Sequence, residues 1–205
     1  MPRELTGPAR RAAIVRTSMR LFAAKGFAGT TTRELARAAG ISEAMVFKHF
    51  PTKNALYRAI LAHKIEESER VLPLSGLAAG DRAPAVVLGH VARTLLERIE
   101  TDPSFLRLLL YCALEGHPLA RAFDRARGVR LRGAISEALR SWTRRGLLRA
   151  PDPDLAARAF VGLVVHFAQV RSIFRDPDAR RVPRERLVRE IVRFTLHGLR
   201  SRSRS

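Results

Sequence analysis

Between Thr31 and Lys53 the chain gathers side chains that can address a polyanion and the edges of base pairs. Arg33 and Lys48 carry donors suited to the guanine acceptors, and Glu43 can accept from cytosine N4. Ala44, Met45 and Phe47 lie between them, the last two able to press an apolar group on a thymine methyl. Thr31, Thr32, Ser42, His49 and Lys53 complete the set, and threonine, histidine and lysine suit phosphate, which fixes position rather than sequence. Catalytic chemistry finds no comparable set. The six histidines are scattered, no glycine loop is built to cradle phosphate, and no nucleophile stands beside a base. No catalytic residue, metal site or cofactor is expected, and an enzyme is the rival class that the residues support least.

The elements that must position this set are two short helices and a tight turn. Thr31 can cap the first helix with Glu34 three residues on, the spacing of a capping box. Leu35, Ala36 and Ala39 form its apolar side, and Gly40 suits the left-handed residue that stops it. Ile41 packs the turn and Ser42 caps a second helix over Glu43–Phe50, which Pro51 ends. Val46 and Phe50, one helical turn apart, face the core. A short helix, a glycine turn and a second helix with a polar outer face is the plan of a helix-turn-helix that reads a DNA groove.

Composition agrees with a polyanionic partner. The net charge is +19 and the isoelectric point about 11.7, which implies attraction to nucleic acid. Arginine bias from genomic base composition is the competing source of that charge, and the charge is spread along the chain. Cys112 is the sole cysteine, so no intrachain disulfide is possible and a reducing cytoplasm is expected. The first residues lack the apolar stretch of a signal peptide, and the run Ala159–Val170 is too short to span a bilayer. No membrane partner is expected.

The spacing of apolar residues predicts an all-α chain of about nine helices. Residues 1–7 read as a basic arm, followed by a helix from Pro8 to Lys25. A fourth helix runs over 53–71 from a Thr52 cap. The proline- and glycine-rich stretch 73–84 is the clearest break. Helices then follow from Pro84 to Glu100, from Pro103 to Gly116, from Pro118 to Arg149 with an irregularity near Gly128 or Gly133, from Pro153 to Phe174 and from Arg184 to Leu199. The domains expected are a helix-turn-helix domain over 1–52 with its connecting helix 53–71, a helical domain over 72–199 and a disordered basic tail over 200–205. The last two helices are apolar around most of their circumference, so each must be buried on two sides. A second copy of the chain is the economical cover, with Leu163, Phe167, Val170, Phe174, Leu187, Ile191 and Phe194 in the interface. A thicker intrachain core is the alternative.

With these elements in place the chain resembles the TetR family of transcriptional regulators. The resemblance rests on Gly26-Phe27, Thr30-Thr31, Leu35-Ala36, Ala39-Gly40-Ile41-Ser42, Phe47, His49-Phe50, Lys53 and Leu56, all in register. Beyond residue 70 it is one of architecture alone. It implies a three-helix DNA-binding head and a C-terminal helical domain for dimerisation and ligand binding. It further implies a homodimer on a double-stranded palindromic operator, released by a small-molecule effector. Phe105, Leu109, Cys112, Trp142, Phe160, His166 and Phe167 are the candidates to line an effector cavity, and an apolar lining favours a hydrophobic effector. For these residues ordinary core packing is the competing reading, an inert core thiol in the case of Cys112. Three positions depart from the family pattern: Ala44 where glycine is usual, Met45 where a small or hydroxylic residue is common, and Phe47 where tyrosine is usual. They alter the expected target sequence and not the fold. Against repression by this route stand a ligand-responsive activator and a non-specific architectural nucleic-acid-binding protein.

Overall fold

The computed structural model describes residues 7–77 and 82–199. The expected arm up to residue 6, the centre of the expected linker at 78–81 and the expected tail at 200–205 lie outside the described residues. The described residues form α-helices and connecting turns, with no strand among them. They divide into two compact units, one drawn from the described residues up to 67 and from 104–123, the other from those of 68–103 and from 124 onward.

The first unit is built on α1 (Gly7–Lys25), α2 (Thr32–Ala39), α3 (Glu43–His49) and most of α4 (Lys53–Val71), with α6 (Ser104–Leu114) and α7 (Leu119–Phe123). Gly26 ends α1 at φ +73°, where its N–H donates to the Phe22 carbonyl at 2.9 Å. A Cβ there would run into the Glu115 carboxylate and lie 3.5 Å from the Tyr111 ring. Glycine is therefore needed both for the backbone and for the close approach of α6. Ile14, Phe22, Leu35, Phe50, Leu56, Tyr57 and Ile60 close around Leu108 and Cys112 of α6. The stretch 104–123, placed by sequence in the C-terminal domain, thus shares a core with α1 and α4.

The second unit holds α5 (Pro84–Thr101), α8 (Val129–Arg144), α9 (Pro153–Ser172), α10 (Pro177–Arg181) and α11 (Arg184–Gly198), with the last residues of α4. Its core is Leu72, Val87, Leu88, Val91, Leu96, Leu139, Trp142, Phe160, Val164, Leu187 and Ile191 among others. The long helix expected from Pro118 to Arg149 is interrupted by a π-helical turn over Asp124–Gly128, at one of the two expected glycines, and α8 stops at Arg144. Gly128 suits this turn because a Cβ would collide with the Asp124 carboxylate. The α9 helix stops at Ser172, and Asp176 then caps the short α10, which the sequence pattern did not show. Arg171 holds that corner: its Nη1 donates to the Ala179 and Val182 carbonyls, both at 2.6 Å, and its Nε to Glu100 at 2.6 Å.

Candidate nucleic-acid interface

The start of α2 is fixed by a complete capping box. Thr31 N–H donates to Glu34 Oε2 at 2.9 Å, and Glu34 N–H donates to Thr31 Oγ1 at 3.2 Å. Lys25 adds an ion pair to Glu34 at 2.5 Å. The Lys25 ammonium, with two bonds from Thr31, holds the Glu34 carboxyl at about 2, well below its usual 4.5. At the other end Gly40 adopts φ +66°, and Ile41 N–H returns to the Ala36 carbonyl at 3.0 Å, closing the helix with a left-handed cap. Ser42 Oγ accepts from Met45 N–H at 3.2 Å and starts α3.

Glu43 is turned back toward α2. Thr32 Oγ1 donates to its Oε2 at 3.1 Å and Arg33 Nε to its Oε1 at 3.3 Å. Its carboxylate therefore ties the two helices of the motif together, and the Arg33 side chain remains 88% exposed beside it. Val46 and Phe50 are buried at 2% exposure, as their spacing predicts, while Phe47 on the opposite side is 45% exposed. Ala44 and Lys48 are exposed with Phe47; Met45 and His49 are half-buried.

Lys53 occupies a different setting from the free ammonium expected at phosphate. Its Nζ donates to the Phe27 carbonyl at 2.6 Å and to the Thr30 carbonyl at 2.8 Å, and lies 4.2 Å from the Phe27 ring centre. Burial lowers its pKa against the opposing pull of Glu115. Thr30 in turn donates from Oγ1 to the Gly26 carbonyl at 2.8 Å, so the turn before α2 is knitted from both ends. Phe27 also meets Tyr57 edge-on at 4.6 Å and the His117 ring at 4.8 Å. Sequence reasoning read Phe27 and Thr30 as positions of the family register but did not assign Lys25 or His117 to the positioning of this motif. The one available signal was Lys53 at the first position of α4, within reach of the preceding turn.

The residues expected to line an effector cavity divide between the two units. Phe105, Leu109 and Cys112 belong to the first core. Cys112 is fully buried with Sγ 3.8 Å from the Tyr57 hydroxyl, and burial pushes its thiol pKa up, the setting of an unreactive thiol. Trp142, Phe160 and Phe167 belong to the second core, and His166 is exposed on α9. An open groove of about 490 Å³ runs along α5 and α11, with Arg93, Val188, Val192 and Leu196 among its walls. None of the expected cavity residues lines it.

The expected interface residues also separate. Leu187 and Ile191 are 6% and 2% exposed and belong to the second unit's own core. They lie on the inward side of α11, where the chain's own core covers them. Phe174 and Phe194 are 72% and 75% exposed, while Leu163, Phe167 and Val170 are half-buried on α9. Among the described residues no helix is long and apolar enough to cross a membrane.

A capped α2, a glycine turn and an α3 with one buried and one open side define a helix-turn-helix DNA-binding head. The family model of bacterial regulatory proteins, tetR family, matches residues 14–60. The model of the AefR-like transcriptional repressor C-terminal domain matches residues 87–198. The chain belongs to the tetR family of bacterial DNA-binding transcriptional regulators. The HTH-type transcriptional regulator RutR of Escherichia coli (strain K12) is 27% identical over 201 residues, covering 95% of this chain and 92% of RutR. Among solved structures, AibR in complex with isovaleryl coenzyme A and operator DNA aligns with a TM-score of 0.72 at 26% identity, over 91% of this chain and 98% of AibR. The fatty acid degradation regulator FadR from Bacillus halodurans shares the fold, with a TM-score of 0.75 at 16% identity over 97% of this chain and 100% of FadR.

Proposed function

We propose that the protein binds a palindromic operator as a homodimer and represses transcription there until a small organic effector occupies the second unit. The observation that carries this reading is the outer side of α3, where Phe47 stands 45% exposed beside Ala44 and Lys48. That helix is pinned from behind by Val46, Phe50 and the Glu43 bonds to α2. An exposed aromatic next to a lysine, on a helix held this firmly, suits contact with base edges and thymine methyl groups. His49 flanks it for phosphate contact, whereas the Thr31 and Thr32 hydroxyls are donated to Glu34 and Glu43 and Lys53 braces the turn behind.

One such head reads few base pairs, and two related by a two-fold axis match a palindrome. Dimerisation through α9 and α11 is supported by exposed Leu155, Phe174 and Phe194. The stretch from Ala159 to Val170 carries no charged side chain. An apolar helical face left in water is disfavoured, and a second copy covers it. Repression is supported by the match of the second unit to a repressor domain. AibR, crystallised with an acyl coenzyme A and operator DNA, supports an organic effector.

Selection of purified protein on random-sequence duplexes, followed by footprinting at moderate salt, tests the reading. A discrete palindrome protected by a dimer is expected. Uniform coating of any duplex would instead make this an architectural binder.

A further inference from the structure

Arg127 is an arginine buried without a counter-ion. It lies in the π-helical turn at 5% exposure, and such turns recur at functional sites. Its Nε donates to Ser68 Oγ at 3.0 Å, and its Nη2 to the Ser68 and Leu72 carbonyls at 3.1 and 2.5 Å. All three partners are neutral oxygens, two on Ser68 in the last turn of α4 and one on Leu72 just past its end. Nη1 is buried and has no hydrogen-bond partner.

The nearby carboxylates are engaged elsewhere. Glu69 is paired with Arg130 at 2.5 Å, and Asp124, in the same π turn as Arg127, forms a two-bond fork with Arg132 at 2.8 and 3.0 Å. Burial lowers the Arg127 pKa; Glu69 opposes this, and the like charges of Arg130 and Arg98 add to it. A buried cation is strongly disfavoured unless an anion and a full set of hydrogen bonds compensate it. Guanidinium cannot escape the cost by losing its proton at neutral pH.

We propose that Arg127 is the anchor for the acidic group of an organic ligand, receiving a carboxylate or phosphoryl oxygen on Nη1. The site selects the ligand's head group by charge. Because Nε and Nη2 are occupied by protein oxygens, the contact is made through one nitrogen rather than the usual two-nitrogen fork. The proposal rests on the reading of the second unit as effector-binding and deepens it: the effector is an organic acid, not merely an apolar molecule.

Calorimetry on the full-length protein tests this with short- to medium-chain carboxylic acids, their primary amides, their coenzyme A thioesters and inorganic phosphate. At least one acid or thioester binds, and for an acid ligand the matching amide binds at least about tenfold more weakly, as loss of a charge-assisted bond implies. Arg127→Gln abolishes that preference, whereas Glu69→Gln retains it. Equal binding of acid and amide, binding of inorganic phosphate alone, no binding by any probe, or unchanged acid affinity in a folded Arg127→Gln protein would each overturn the assignment. Should Arg127→Gln fail to fold, the wild-type comparison of acid with amide decides. Operator release measured in the same samples separates the two readings. A neutral probe that releases DNA keeps the effector mechanism and removes Arg127 from it. An acid that binds through Arg127 without releasing DNA does the reverse.

Discussion

The ammonium of Lys53 and the ring of Phe27 face each other at 4.2 Å, while the same ammonium takes the Phe27 carbonyl at 2.6 Å. A side chain that could have reached for phosphate is thus committed to the backbone of the turn before α2. Replacing Lys53 with Met leaves the Phe27 and Thr30 carbonyls short of a donor in a half-buried position. The expected cost is about 1–3 kcal/mol of stability, read from urea denaturation. The salt dependence of DNA binding should then fall by less than the roughly one unit that a free phosphate contact contributes.

Glu43 joins Thr32 and Arg33 of α2 to the first turn of α3. Glu43→Ala frees Arg33 for indiscriminate phosphate contact and loosens the reading helix. The ratio of operator to non-operator affinity should drop about tenfold, in line with the loss of one good base-reading contact. A ratio equal to that of the wild type in fluorescence anisotropy would mean that the Glu43 bridge does not position α3.

Acid should weaken the first unit in two windows. His117 Nδ1 accepts from Leu119 N–H at 3.2 Å, which requires that nitrogen to be unprotonated, and burial holds its pKa below 6.5 although Glu115 pulls the other way. The folded-state pKa is the lower one, so the unfolded chain takes up the proton first. Stability is therefore full above pH 6.5 and falls as the pH drops from there toward the folded value. His117→Asn keeps an acceptor at the start of α7 and cannot titrate, so its melting temperature should be flatter through this window than that of the wild type. Glu34 acts lower down: its contribution is complete above 4.5 and is lost as the pH falls to about 2. Glu34→Gln should flatten that lower limb alone.

Opposite sides of α11 should respond differently to substitution. Phe194→Asp alters an exposed surface and is expected to yield folded monomers by light scattering, with circular dichroism unchanged. Ile191→Ala empties part of the core and should cost about 2–5 kcal/mol in denaturant titrations. A dimer that survives Phe194→Asp and Phe174→Asp together would place the interface elsewhere.

The capped helices around Gly40 were legible in the sequence because a cap is a local device: Thr31 and Glu34, or Ser42 and Met45, stand three residues apart. The burial of Val46 and Phe50 was legible for the same reason. Longer-range facts were not. The apolar side of α6 shows that Leu108 and Cys112 need cover but not that Tyr57 and Ile14 supply it. A helix apolar over most of its girth announces two buried sides without saying that Leu187 faces inward and Phe194 outward. Arg127 could not be distinguished in a chain so rich in arginine, since its burial depends on carbonyls more than fifty residues away. The α10 helix is too short for apolar periodicity to show.

The first unit draws on two separated stretches of chain, with Leu108 and Cys112 from the later one completing its core. During synthesis the ribosome delivers α1 to α4 first and the whole of α5 before α6 emerges. The DNA-reading head therefore stays incomplete on the nascent chain until residue 123 has cleared the exit tunnel. A fragment cut after Glu67 would carry the whole helix-turn-helix and still leave Ile14, Phe22 and Tyr57 without their cover.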